Sequence, residues 1–112
     1  MKVGAMSGGI YLRVMEVDDG FMIKVVVSVC DEELLGKVFR EGDRVLAINK
    51  EFFGGQLLST DYEDEIIDYL RRAYTAMIVG ERSVSLALKN RVIHPEAVMR
   101  IAGVPYAQIV RY

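Results

Sequence analysis

The stretch "DYEDEIIDYLRRAYTAMIV", residues 61–79, is the clearest periodic run in this chain. Ile66, Leu70, Ala73, Tyr74, Met77 and Ile78 recur at helical spacing, which predicts one long amphipathic helix. Thr60 and Glu63 have the spacing of a capping box, and Gly80 supplies a stop. Asp68 lies three and four residues before Arg71 and Arg72, the separation at which ion pairs form along a helix. On this reading Met77 faces the same side as Ala73 and Ile66, toward a sheet.

Working toward the amino end, "FFGG" (52–55) is expected as a tight loop, with Gly54 and Gly55 free to take positive φ. "KVF" and "RVLAINK" flank an "EGD" turn and read as two strands. "CDEELLGK" reads as one helical turn capped by Asp31 and stopped by Gly36. "IYLRVMEV" and the β-branched "FMIKVVVSV" flank "DDG" and form a hairpin signal, the second strand being apolar enough for a central place. Toward the carboxyl end, "ERSVSLALKN" predicts a shorter helix ended by Asn90. A third short helix is expected over 95–101, opened by Pro95 and closed by Gly103, and "VPYAQIVRY" is a final strand. The fold class is α+β: a small, mostly antiparallel sheet with one long helix and two or three short helices clustered in the C-terminal half.

The 112 residues predict a single domain, 1–112, with residues 1–9 as a flexible or non-family start and Met6 as an alternative start. An apolar fraction of 52% argues against disorder. No apolar run has the length of a membrane helix or a secretory signal, so a cytoplasmic location is expected. Cys30 is the only cysteine, which leaves no intramolecular disulfide and no cysteine-rich zinc site.

Charge is unevenly spread along the chain. Residues 1–70 carry 7 Lys/Arg against 14 Asp/Glu, a balance of −7, and residues 71–112 carry 7 against 2, a balance of +5. Such polarity points to an acidic partner such as RNA, or is simply mixed when the chain folds. Arg82, Lys89, Arg91, Arg100 and Arg111 are the candidate phosphate contacts.

No catalytic residue, cofactor or metal site is expected. Acids flank Cys30 and disfavour its thiolate, and His94 is the only histidine, read as a helix cap or a solvent-facing residue. "GERS" (80–83) places a glycine before a helix start, where the backbone N–H groups near Arg82 and Ser83 either present to a phosphate or form an ordinary corner.

"CDEELLGKVFREGD" (30–43), "VGERSVSLAL" (79–88) and "VIHPEAVMRIAGVPYAQIVR" (92–111) together resemble the archaeal family named domain of unknown function 424, over about Tyr11 to Arg111. The resemblance implies a cytoplasmic, translation-associated RNA-binding protein without an established reaction. Against the family pattern Met77 replaces an asparagine and Tyr106 a histidine, while Gly80, Ser83, Gly103, Pro105 and Gln108 match. Tyr106 has the chemistry to stack on a base. "GVPYAQ" therefore stands either as a family surface or as a stitch holding the last strand.

The functional expectation is a non-catalytic RNA-associated protein, with RNA or a ribonucleoprotein as partner. The alternative is a protein–protein interaction factor, or a homodimeric accessory subunit without RNA contact. The corner Gly80–Val84 and the segment Gly103–Gln108 are expected to be close, with the Cα atoms of Met77 and Tyr106 within roughly 15 Å.

Overall fold

In the computed structural model, which describes residues 8–111, the stretch 61–79 divides into two elements. A helix runs Glu63–Arg72, Ala73 turns extended at φ −68° and ψ 139°, and Thr75–Val79 is a strand. The periodic residues up to Leu70 form the buried helix face. Beyond them the burial alternates, with Ala76 and Ile78 beneath the helices and Met77 on the opposite face. Sheet pairing overrides the helical pattern here: the Tyr74 N–H donates to the Val25 carbonyl (2.8 Å), and the β-branched Thr75, Ile78 and Val79 suit a central strand. There is accordingly no long helix among the described residues, and Met77 does not share a face with Ile66 and Ala73.

From the amino end the elements are β1 (Ile10–Asp18), β2 (Ile23–Asp31), β3 (Val38–Glu41), β4 (Arg44–Ala47) and the one-turn helix α1 (Lys50–Phe53). Then follow β5 (Gln56–Leu58), α2 (Glu63–Arg72), β6 (Thr75–Val79), α3 (Glu81–Lys89), β7 (Met99–Ile101) and β8 (Val104–Val110). Six strands form one sheet in the order β5-β1-β2-β6-β8-β7, while β3 and β4 make a separate hairpin. The β2–β6 pairing is parallel and the remaining pairings are antiparallel.

Each face of the sheet has its own core. Helices α2 and α3 cover one face, where Leu70, Val84 and Ala87 meet Val27, Val29, Ile78 and Ala107. The β3–β4 hairpin and α1 cover part of the other, where Leu46, Ile48 and Phe53 meet Cys30, Val79 and Ile101. Each fully buried aliphatic side chain such as Leu70 or Ile48 contributes about 1.5–3 kcal/mol.

Other local expectations change for physical reasons. Neither Gly54 nor Gly55 takes a positive φ. They are glycines because a Cβ would lie 2.5 Å from the Lys50 carbonyl oxygen and 2.0 Å from that of Leu12. Ser59, rather than Thr60, supplies the cap, accepting from the Asp61 N–H (3.3 Å) at a short 3-10 turn before α2. Asp68 reaches Arg72 (2.8 Å), whereas Arg71 donates to the Asn90 carbonyl (3.0 Å). The expected helix over 95–101 is one 3-10 turn, Pro95–Ala97, capped by His94 Nδ1, followed by β7.

Gly103 thus closes no helix. With Ala102 it forms the two-residue turn between β7 and β8, at φ 52° and 82°, the pattern of a type I′ hairpin. Asparagine tolerates that first position better than alanine does. Ala102→Asn is therefore expected to raise stability by about 0.5–1 kcal/mol, read as a higher denaturation midpoint at unchanged slope.

The β1–β2 hairpin outruns its sheet. β5 meets β1 only over Ile10–Leu12 and β6 meets β2 only over Val26–Cys30, so beyond the Met15–Val26 pair residues 16–25 run on as a two-stranded ribbon, rooted where the Val25 carbonyl accepts from the Tyr74 N–H. Its turn is held by Asp19, which accepts from the Phe21 and Met22 N–H groups (2.9 and 3.0 Å) and pairs with Lys24 (3.0 Å). Those backbone bonds first, and Lys24 after them, lower the Asp19 carboxyl from 3.8 to about 2. The lock is therefore complete above about pH 4 and is lost as the pH falls toward 2. An NMR titration is expected to place the Asp19 midpoint near 2.

Candidate functional site

Where β2 ends, Asp31 is 2% exposed and its carboxylate reaches the start of α3, about fifty residues further along the chain. It accepts from the N–H groups of Arg82 (3.0 Å) and Ser83 (2.9 Å), and from Ser83 Oγ (2.8 Å). Sequence reasoning assigned Asp31 to its own following turn, yet it makes no cap bond there. The backbone donors of "GERS" that a phosphate would use are held by this carboxylate instead. Gly80 makes the approach possible: it sits at φ 109°, and a Cβ there would lie 2.3 Å from Asp31 Cγ.

The two glycine corners do meet. The Gly80 N–H donates to the Pro105 carbonyl (2.8 Å), and a cavity of about 340 Å³ opens between Asp31, Leu34, Gly80, Arg82, Gly103 and Pro105. Met77 pairs with Gln108 and Val79 with Tyr106. Met77 and Tyr106 are thus diagonal neighbours on adjacent strands, about 7–8 Å apart. Both pack on the core beneath the β3–β4 hairpin. Tyr106 Oη accepts from Arg44 (3.1 Å), and Gln108 is exposed.

The late cations are mostly engaged within the chain. Arg82 forms a bidentate pair with Glu33 (3.0 and 2.5 Å) and donates to the Gly9 carbonyl (3.1 Å). That pairing lowers the Glu33 carboxyl and raises Arg82. Arg100 holds Glu81 (3.1 Å) and the Gly103 carbonyl (3.0 Å), and Lys89 lies 3.5 Å from Glu63. Arg111 donates to the Leu70 and Ala73 carbonyls (3.1 and 2.5 Å), closing the end of α2. Arg91 forms no ion pair among the described residues and sits at φ 58° just past α3. With Leu88, Val92, Ile93, His94 and Pro95 it lines a groove of about 450 Å³.

No reagent is poised at the corner. Burial, and after it the charges of Asp31 and Glu33, push the Cys30 thiol up to about 12. Cys30 is expected to resist a thiol-exchange reagent in the native protein at pH 8 and to react fully in denaturant. Rapid native labelling would contradict this placement. Among the described residues, no three His, Cys, Asp or Glu side chains group as metal ligands.

The surface that sequence reasoning missed is the ribbon. "FMIKVVVSV" reads as a buried strand, yet Phe21 is 97% exposed, Met22 54% and Ile23 59%, with Val17 also exposed on the neighbouring strand. Two apolar residues immediately after "DDG", in the turn itself, are the one local signal of this.

The family model described as "Protein of unknown function (DUF424)" matches residues 23–112, and so begins later than the resemblance over Tyr11 to Arg111. Among curated proteins none matches. A solved structure, that of an uncharacterized conserved protein from Methanopyrus kandleri, is similar in fold with a TM-score of 0.67. It is 23% identical, and the likeness covers 93% of this chain and 94% of that one.

Proposed function

The chain belongs to the family described as protein of unknown function DUF424; from that premise, which assigns no reaction, we propose a non-catalytic binding module that docks a protein partner through the β1–β2 ribbon. The exposure of Phe21 carries this reading. A lone exposed valine is ordinary, but a bare aromatic tip beside Met22 and Ile23 has the make-up of a binding hot spot. Enzymatic roles fit less well, because the Cys30 thiol is buried and protonated and Asp31 is spent on a helix start.

The test replaces Phe21 with a photo-crosslinking phenylalanine in the full chain and irradiates it in native lysate. Val45, exposed on the other hairpin, is the control position. Protein adducts are expected from position 21, surviving nuclease and absent from position 45. Their absence, or their loss after nuclease, would refute the reading.

RNA association in a translation-related, cytoplasmic role is the second reading. Its support is the convergence of Arg71, Arg91 and His94 where α2 and α3 end, together with the +5 balance of residues 71–112. It predicts RNA binding that weakens steeply as salt rises and that Arg91→Ala weakens uniformly across sequences. No binding to ribosomal or transfer RNA at low salt would eliminate it.

A further inference from the structure

We infer that the partner of the ribbon is a second copy of this chain, whose groove past α3 receives the Phe21 tip. The inference rests on the docking role proposed above for the ribbon.

Shape supplies the first support. The groove of about 450 Å³ has apolar walls in Leu88, Val92, Ile93 and Pro95. A cavity of roughly 150 Å³ already holds a benzene ring, so the Phe21 ring enters with room for part of Met22. Charge supplies the second. Glu16 and Asp18 on the ribbon make no ion pair among the described residues, and neither does Arg91 at the groove. Lys24, the basic residue nearest the tip, is occupied by Asp19. An acid-flanked aromatic knob therefore faces a groove with a free guanidinium at its rim. His94 stands beside Arg91, and Glu96, 3.9 Å from His94, is the acid at that rim.

Position supplies the third. Met22, Ile23 and Val25 line a hollow with Arg72 and Ala73 at the end of α2. The neighbouring Arg71 donates to the carbonyl of Asn90, the residue before Arg91. Tip and groove thus flank one helix end. A two-fold axis placed there lets each copy give its tip and receive the other's, which closes the assembly at two copies instead of extending a fibre.

Sedimentation of the purified full chain over a range of concentrations tests this. The expected result is a reversible dimer that Phe21→Ser weakens at least about 30-fold, the loss of a central aromatic anchor. Phe21→Ser should leave the melting temperature of the monomer unchanged, since the ring is 97% exposed. Charge reversal gives the sharper readout. Asp18→Arg and Arg91→Asp should each abolish self-association, because each homodimer then opposes like charges at both contacts. Mixed together, they should pair with each other, since both contacts regain opposite charges. Aspartate also tolerates the positive φ of Arg91.

A chain that stays monomeric to ~1 mM, or a dimer indifferent to Phe21→Ser and to the charge pair, overturns the inference. If the chain is monomeric but position 21 still crosslinks to another protein, self-docking fails and the ribbon reading survives. If it is monomeric and position 21 captures no protein, both fail.

Discussion

Asp31→Ala is expected to lower stability by roughly 2–4 kcal/mol, a large part of the 5–15 kcal/mol typical of a small domain. The substitution removes a carboxylate that is 2% exposed and accepts three hydrogen bonds from the start of α3. The N–H groups of Arg82 and Ser83 are the donors a helix start leaves unsatisfied, and the Ser83 hydroxyl is itself buried. Water reaches the site poorly, so the orphaned donors bear most of their desolvation cost. Asp31→Asn keeps one acceptor and should fall between alanine and wild type.

Gly80→Ala attacks the same joint from the other side. Its Cβ would lie 2.3 Å from Asp31 Cγ and 2.6 Å from both carboxylate oxygens, at a φ of 109° that alanine rarely adopts. In an Asp31→Ala background the overlap with the carboxylate disappears, and the backbone strain of about 1–3 kcal/mol at φ 109° and ψ 159° remains. The two substitutions should therefore be markedly less than additive in chemical denaturation. Additive costs would mean that the carboxylate does not occupy the space beside Gly80.

This joint shows where the sequence was readable and where it was not. Gly80, Gly103 and Pro105 mark two corners because glycine and proline announce turns locally. Both corners follow strands and not helices, however, and the pairing of β6 with β8 is what makes "VGERS" and "GVPYAQ" neighbours. The partner of Asp31 lies about fifty residues away, and no local pattern encodes such a bond. The same asymmetry explains the helix that stops early. Ala73 and Met77 happen to continue a 3.6-residue spacing, but the pairing of β6 with β2 and β8 decides their state, and that pairing is tertiary. Hairpins β1–β2 and β3–β4, helix α3 and strand β8 were legible because turn residues and short-range periodicity specify them. Phe21 was not, since its exposure depends on where the neighbouring strands end.

Gly55→Ala should be more damaging still, costing about 4 kcal/mol or preventing folding, by forcing displacement of packed backbone. A Cβ at this position would lie 2.0 Å from the Leu12 carbonyl oxygen and 2.7 Å from the Arg13 Cα, where ordinary contact begins near 3.4 Å. Backbone cannot rotate aside as a side chain can, so β5 must leave β1 or the chain between α1 and β5 must lift. Either movement disturbs the Ser28 Oγ bond to the Phe52 carbonyl (2.6 Å), which fastens α1 to the sheet. Gly42→Ala is the comparison: unlike Gly55 it has a positive φ, 61°, and nothing lies within 4 Å of an added Cβ, so only about 1 kcal/mol of strain is expected there. Denaturation of the two variants side by side separates steric overlap from backbone strain. Hydrogen exchange should also speed up at Tyr11–Arg13, where β5 ends against β1, if a folded Gly55→Ala population exists. A Gly55→Ala midpoint equal to that of Gly42→Ala would show that the chain entering β5 approaches the Leu12 carbonyl less closely than 2.0 Å from an added Cβ requires, and that the edge of the sheet at β5 yields without disturbing the core beneath it.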